Sequence, residues 1–248
     1  SIQRRNVGPG YTNIAIMGTY VTLVTAELYG IDDLREYALK RLKNFHEYTR
    51  HHGAFTEYNS PTYTLVALTE LGRLRKDVKD EDARKQIEDL YRVAWEEIAQ
   101  HFHVPTLQWA GPHSRCYRTL QQKSVLSLLE NATEGRASLN AKMAASGFSD
   151  ERLLPGLDDA RIPLPCPGDL EHFFKTLEQP RFFEKTFLKG DGKTPAVIGA
   201  TYLPQAFALG SVNRGDLWNQ RRALLAYWGT AAQPAYLHLR FLHDGYDF

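Results

Sequence analysis

The sequence predicts a mainly α-helical chain with a β-rich C-terminal part, in which helical hairpins come first and antiparallel strands then begin a β-sandwich. Three observations predict it. A polar-aromatic loop recurs before alternate helices at a spacing of roughly 50 residues, the length of one helical hairpin in a repeat array. A stretch rich in Gly, Pro and Asp occupies 147–169. After Lys193 the apolar period falls from about 3.6 to about 2. Residues 1–146 thus read as helical hairpins, 147–193 as an irregular linker with a short helix, and 194–248 as an antiparallel β segment.

The first helix, from Tyr11 to about Tyr29, carries Ile14, Met17, Val21, Val24 and Leu28 on one stripe, and Gly30 ends it. Asp32 or Asp33 caps a second helix with Leu34, Ala38, Leu42 and Phe45 in register, and Arg35, Lys40, Arg41 and Lys43 on a solvent-facing side. His51 and His52 close it, where imidazolium suits the negative end of the dipole. A third helix opens at Pro61, with Ser60 as its N-cap, and runs on Leu65, Val66, Leu68, Leu71 and Leu74. The fourth, Glu81 to His101, keeps Ile87, Leu90, Val93 or Ala94, and Ile98 for one buried stripe. A fifth starts near Tyr117 and reaches about Leu129, and a short helix fits Asp169–Leu177. Period-two runs at 196–202, 206–212, 222–228 and 235–243 read as strands, the last alternating Leu237, Leu239 and Phe241 with His238, Arg240 and His243.

The loops before the odd helices are Gly8-Pro9-Gly10-Tyr11-Thr12-Asn13, Glu57-Tyr58-Asn59-Ser60-Pro61-Thr62-Tyr63 and Gly111-Pro112-His113-Ser114-Arg115-Cys116-Tyr117. Successive odd helices run parallel in a hairpin array, so these loops should gather at one end as a polar-aromatic rim. The even helices, richer in charge, should form an outer layer. That is the arrangement of a partial α/α toroid or solenoid. The second loop holds more polar groups than a cap needs, at a helix mouth whose dipole favours anionic or polar ligands.

Composition narrows the function classes. Lys and Arg number 30 against 29 Asp and Glu, a net charge of +1, so nothing calls for a nucleic-acid or membrane partner. No stretch approaches the ~18 continuous apolar residues of a membrane helix. Aromatics make up 12% of the chain, which suits sugar binding and ordinary packing alike. Cys116 and Cys166 can pair in an oxidising compartment or stay as two buried thiols. His101 and His103 are spaced poorly for shared metal ligation, and no phosphate loop, nucleophile elbow or zinc pattern occurs, so neither metal nor cofactor is expected.

The segments Tyr11–Ile14, Glu57–Tyr63 and Gly111–Tyr117 resemble a poorly characterised group of bacterial and fungal proteins. That group looks like the six-hairpin α/α-toroid enzymes of carbohydrate metabolism, including heparinase II/III-type polysaccharide lyases. Ala200-Thr201-Tyr202-Leu203, Ala208–Ser211 and Trp218-Asn219-Gln220 resemble the start of the β-sandwich that follows such toroids. The resemblance covers most of 7–130 and 195–228. The chain departs from it in supplying about five or six long helices where a full toroid has twelve, and too few strands for a sandwich. It begins Ser1-Ile2, without Met or a signal pattern, which points to processing or to a piece of a longer product. The missing layers then come from the remainder of the same protein or from a homo-oligomer, and exposed apolar surface is expected.

What the resemblance implies is lyase chemistry on a polysaccharide or oligosaccharide, outside the cytoplasm if that reading holds. A lyase neutralises a uronate carboxylate, removes the adjacent proton and protonates the leaving oxygen. Asn59, His113 and Arg115 supply neutralisers, and Tyr58, Tyr63 or Tyr117 acid–base phenols. A free phenol titrates near ~10, so a cation such as Arg115 must lower it. Trp109 offers a stacking face, and Glu57, Tyr63, Tyr11 and Asn13 complete the substrate-binding set. A hydrolase using Glu57 as general acid is the first alternative, although the loops hold no second carboxylate. A non-catalytic glycan-binding or assembly module is the second. Structural roles compete at every position: Tyr58 and Tyr63 as packed phenols, Asn59 as a loop brace, Glu57 as a dipole partner, and Arg115 as a bridge to Glu57.

Overall fold

A computed structural model describes residues 2–146, 161–216, 218–244 and 246–247. The N-terminal half is helical: α1 (Ile2–Arg5), α2 (Thr12–Tyr29), α3 (Asp32–His52), α4 (Tyr63–Asp77), α5 (Glu81–His101), α6 (Lys123–Ala132) and α7 (Leu139–Ala145). A 3₁₀ turn at Gly168–Leu170 and α8 (His172–Lys175) follow, within the span expected for a short helix. The hairpins α2–α3 and α4–α5 lie side by side, α2 against α4 and α3 against α5.

Chain punctuation sets these boundaries. Gly30 and Gly53 end α2 and α3 with φ of 65° and 85°, a left-handed cap that glycine adopts without a Cβ penalty. The Asp80 carboxylate accepts the Ala83 N–H at 2.9 Å and caps α5. Ser60 caps the start of α4 as expected, its hydroxyl accepting the Tyr63 N–H at 2.9 Å, and the regular helix begins at Tyr63, two residues beyond Pro61.

The first helix departs from expectation in its facing. Met17, Val21 and Leu28 are exposed, and Ile14 and Val24 only half-buried. The buried face is instead built from Ala15, Ile16, Gly18, Thr19, Thr22, Leu23 and Ala26. Small side chains let α3 and α4 approach closely, and a helix apolar all round gives a periodicity reading two candidate faces. On α3, Arg35, Lys40 and Lys43 face solvent as expected, whereas Arg41 is buried.

After α5 the chain turns back through a short hairpin, β1 (Phe102–His103) against β2 (Gln108–Trp109), which the sequence reading missed. A five-stranded antiparallel sheet, in sequence order, comprises β3 (Arg181–Leu188), β4 (Val197–Leu203), β5 (Phe207–Val212), β6 (Leu224–Gly229) and β7 (Pro234–His238). β4 to β6 match the expected runs within two residues. β3 falls in the stretch read as linker, because Arg181, Glu184 and Lys185 blur its alternation. The last expected strand ends early: Leu239 N–H still reaches Leu224 O at 3.1 Å, then β8 (Leu242–His243) pairs with β9 (Tyr246–Asp247). The fifth expected helix also starts late, at Lys123, since 113–116 pairs with the β half instead. The linker stretch 147–160 lies outside the described residues.

The sheet packs its inner face, Leu203, Ala208, Leu225 and Tyr227, onto Ala110 and Leu177. Each buried leucine here contributes about 1.5–3 kcal/mol. Its outer face carries Phe182, Tyr202, Phe207, Leu209, Trp228 and Leu237, all exposed. Among the described residues no helix is long and apolar enough to cross a membrane.

Candidate functional site

The three loops meet at one end of the helices, and the β half joins them there. Glu57 accepts the Asn13 N–H on one carboxylate oxygen at 3.1 Å and an Arg115 N–H on the other at 3.2 Å. Ser114 donates to Tyr58 O through both its N–H (3.2 Å) and its hydroxyl (2.6 Å). Ser60 Oγ donates to Arg115 O at 2.6 Å. His113 and Arg222 exchange backbone bonds of 3.1 and 3.0 Å, and Cys116 N–H reaches Gln220 O at 2.7 Å. Gly111 lies so close to the sheet that a Cβ on Gly210 of β5 would stand 1.9 Å from its carbonyl oxygen.

Beneath the rim lies a buried polar network. Asn59 is wholly buried and holds a φ of 42°, a conformation asparagine tolerates better than most residues. Its amide donates to Ala110 O at 2.9 Å and Pro112 O at 2.8 Å, and its carbonyl accepts the Trp109 indole N–H at 2.5 Å. Glu97 of α5 accepts the Asn59 N–H at 3.1 Å and the Thr64 hydroxyl at 3.3 Å. Burial pushes the Glu97 carboxyl up, against the pull of Lys185. His113 Nδ1–H donates to Asn59 O at 2.6 Å, which leaves its Nε2 a bare buried lone pair. Burial lowers its pKa to about 3, and that of His101 to about 4.

These positions correct the expected site. Asn59, His113 and Trp109 are brought together, but as a buried brace: none presents its side chain to solvent, so the neutralising and stacking roles do not fit them. Tyr58 is buried as well, stacked on Phe187 of β3 at 4.1 Å between ring centres, and burial raises its pKa. The Asn13 side chain accepts the N–H of its neighbour Ile14 at 2.7 Å. Glu57 has both oxygens engaged and little exposure, so it is badly placed as a general acid.

What remains at the surface is an aromatic–cation cluster. Tyr11 is 41% exposed, Tyr117 52% and Trp218 37%. The Arg115 guanidinium carbon lies 4.3 Å from the Tyr63 ring centre, 5.9 Å from Tyr117 and 5.2 Å from Trp218, with the Tyr11 side chain beside it. Arg115 also donates to Gln220 Oε1 at 2.9 and 3.1 Å and to the Tyr117 hydroxyl at 3.0 Å. The Tyr63 and Tyr117 hydroxyls sit 2.7 Å apart. Burial first, and that hydrogen bond second, raise the Tyr63 pKa to about 12, so it stays protonated. Trp218 and Gln220 escaped the sequence reading as site residues, because they reach the rim from over 100 residues away. Their adjacency in Trp218-Asn219-Gln220 was the one visible signal.

No group of three or more His, Cys, Asp or Glu side chains is arranged for a metal ion among the described residues. Cys116 and Cys166 are both free thiols, and burial raises the pKa of each.

Residues 1–150 match a family described as a Domain of unknown function (DUF8769), and the chain belongs to that family. The matched span holds all three rim loops but neither Trp218 nor Gln220. No curated protein and no solved structure matches the chain.

Proposed function

We propose that the chain is a glycan-recognising module of the carbohydrate-active kind, whose contact surface is Tyr11, Tyr63, Arg115, Tyr117 and Trp218. The observation that carries this reading is the Arg115 guanidinium set among three aromatic rings, two of them well exposed. Aromatic faces take the apolar face of a sugar ring, and an arginine held beside them favours an acidic sugar. Arg115 is itself anchored by Glu57 and Gln220, so the surface is pre-organised and loses little entropy on binding. Two side-by-side hairpins and an apolar outer sheet face support the finer fold proposal, a portion of an α/α toroid leading into the first layer of a β-sandwich.

A second reading, β-elimination on an acidic polysaccharide, is favoured by one contact: Arg115 donates to the Tyr117 hydroxyl at the exposed surface. Tyr63 would then serve as the acid, since its proton is held. Binding is the better-supported function because His113 and Asn59 are buried away from any substrate.

A panel of uronate-containing and neutral polysaccharides separates the readings. Saturable binding without turnover supports recognition. New ultraviolet absorbance from an unsaturated uronate supports elimination, and reducing ends without it support hydrolysis. A panel that shows neither binding nor turnover overturns all three.

A further inference from the structure

Arg41 of α3 is a buried cation with no acidic partner among the described residues. It is 8% exposed, yet its hydrogen bonds all go to neutral acceptors at long range: Ala15 O at 3.3 Å, Ile14 O at 3.3 Å and the Tyr37 hydroxyl at 3.4 Å. Buried charges are ordinarily paired, because removing one from water without an opposite charge is costly. The α2 backbone is bare where the guanidinium lies: a Cβ on Gly18 would stand 3.0 Å from Arg41 Nη2. A cleft of about 270 Å³ opens beside it, between the 6–9 loop and α3. Asn6, Tyr37, Lys40, Asn44 and Phe45 are among its walls, and among the described residues no Asp or Glu lines it.

We infer that this cleft is a binding site for a small anion, a carboxylate or a phosphate-type oxyanion, with Arg41 as its floor and Lys40 and Asn44 at its mouth. A guanidinium has five N–H donors, and three are used here, one on each nitrogen. One N–H therefore remains on each terminal nitrogen, the pair that meets two oxygens of a carboxylate or phosphate. The volume falls just below the ~300–1,000 Å³ range of pockets that take drug-sized ligands, so the occupant is a compact anion. None of the residues lining the cleft is among those that contact Arg115, so the site does not depend on the glycan reading.

The test is calorimetric titration and thermal melting with inorganic phosphate, sulfate and succinate, at ionic strength held constant with choline chloride. Saturable heat and a rise in Tm are expected for at least one of them. Response to succinate alone assigns a carboxylate ligand, and response to phosphate and sulfate a phosphate-type one. Lys40→Gln, at an exposed position, should weaken binding about tenfold, in line with the loss of one charge-assisted contact. Arg41→Met should abolish binding and, without anion, leave Tm unchanged or higher, since it removes an unpaired buried charge. The inference is overturned if no anion gives saturable heat, if both variants bind as the native chain does, or if Arg41→Met lowers Tm in choline chloride buffer without phosphate, sulfate or succinate.

Discussion

Glu57 and Arg115 stand 58 residues apart in sequence and meet at 3.2 Å, with side-chain exposures of only 7% and 18%. Because Glu57 also holds the Asn13 N–H and Arg115 also holds Gln220, this one ion pair fastens all three helix-mouth loops to the β half. The pair also holds the Arg115 guanidinium in place among the rings of the aromatic surface.

Glu57→Gln should therefore destabilise the chain by about 1–3 kcal/mol, the usual penalty for leaving a partly buried charge without its partner. A double-mutant cycle with Arg115→Gln, read by denaturant unfolding, should give clear positive coupling. Additive losses would show that the pair is incidental.

Asn59→Ala should cost about 3 kcal/mol or more, since it strands the Trp109 indole N–H and two carbonyls and sets alanine at a positive φ. Tyr117→Phe removes a hydroxyl whose bonds to Arg115 and Tyr63 are solvent-exposed, and should shift Tm by no more than a degree or two. Equal stability losses in the two variants would contradict the division into buried brace and exposed surface.

Acid should weaken the fold early. His113 titrates at about 3 and His101 and His103 at about 4 in the folded chain, against 6.5 for an ordinary histidine, chiefly through burial. The unfolded state thus binds more protons below about pH 6.5, so stability is full above that value and falls as pH drops. Glu97 opposes this, because its raised pKa lets the folded state hold a proton, while Glu171, lowered by Arg136, acts below its ordinary 4.5. Between pH 6.5 and 4.5 the histidines dominate, and Tm should decline across that window. A flat profile there would show that these imidazoles are not buried neutral.

Gly210→Ala tests how the third loop is seated. A methyl group there collides with the Gly111 carbonyl, so the 111–117 loop must lift from the sheet. A loss of about 1–3 kcal/mol is expected from the overpacking, with weakened glycan binding because Arg115 moves with the loop. Unchanged binding at lowered stability would place the recognition surface elsewhere.

Much of the fold was legible because its signals are local. Gly30 marked the end of α2, the apolar stripe of Ile87, Leu90 and Ile98 marked α5, and period-two runs marked β4 to β6. The facing of α2 was not legible, since the helix is apolar on more than one side and its buried side mixes Ile16 and Leu23 with small residues that admit neighbours. The gathering of the three loops followed from their spacing, but the roles within them did not. Asn59, Trp109 and His113 bond to one another in the interior, and in a one-dimensional string such residues look the same as residues awaiting a ligand. The position of Trp218 and Gln220 beside Arg115 is a long-range fact that no local pattern carries.

The most direct measurement is tryptophan fluorescence or calorimetric titration with matched acidic and neutral oligosaccharides, on the native chain and on Tyr117→Ala. Trp218 reports contact from within the surface, and Tyr117→Ala removes an exposed ring and one Arg115 hydrogen bond while leaving the Glu57–Arg115 pair in place. Saturable binding that favours the acidic sugar, lost at least tenfold in Tyr117→Ala at unchanged Tm, is the predicted result. Equal affinity of both proteins for the sugar, or no binding of any oligosaccharide by a folded native chain, would contradict it.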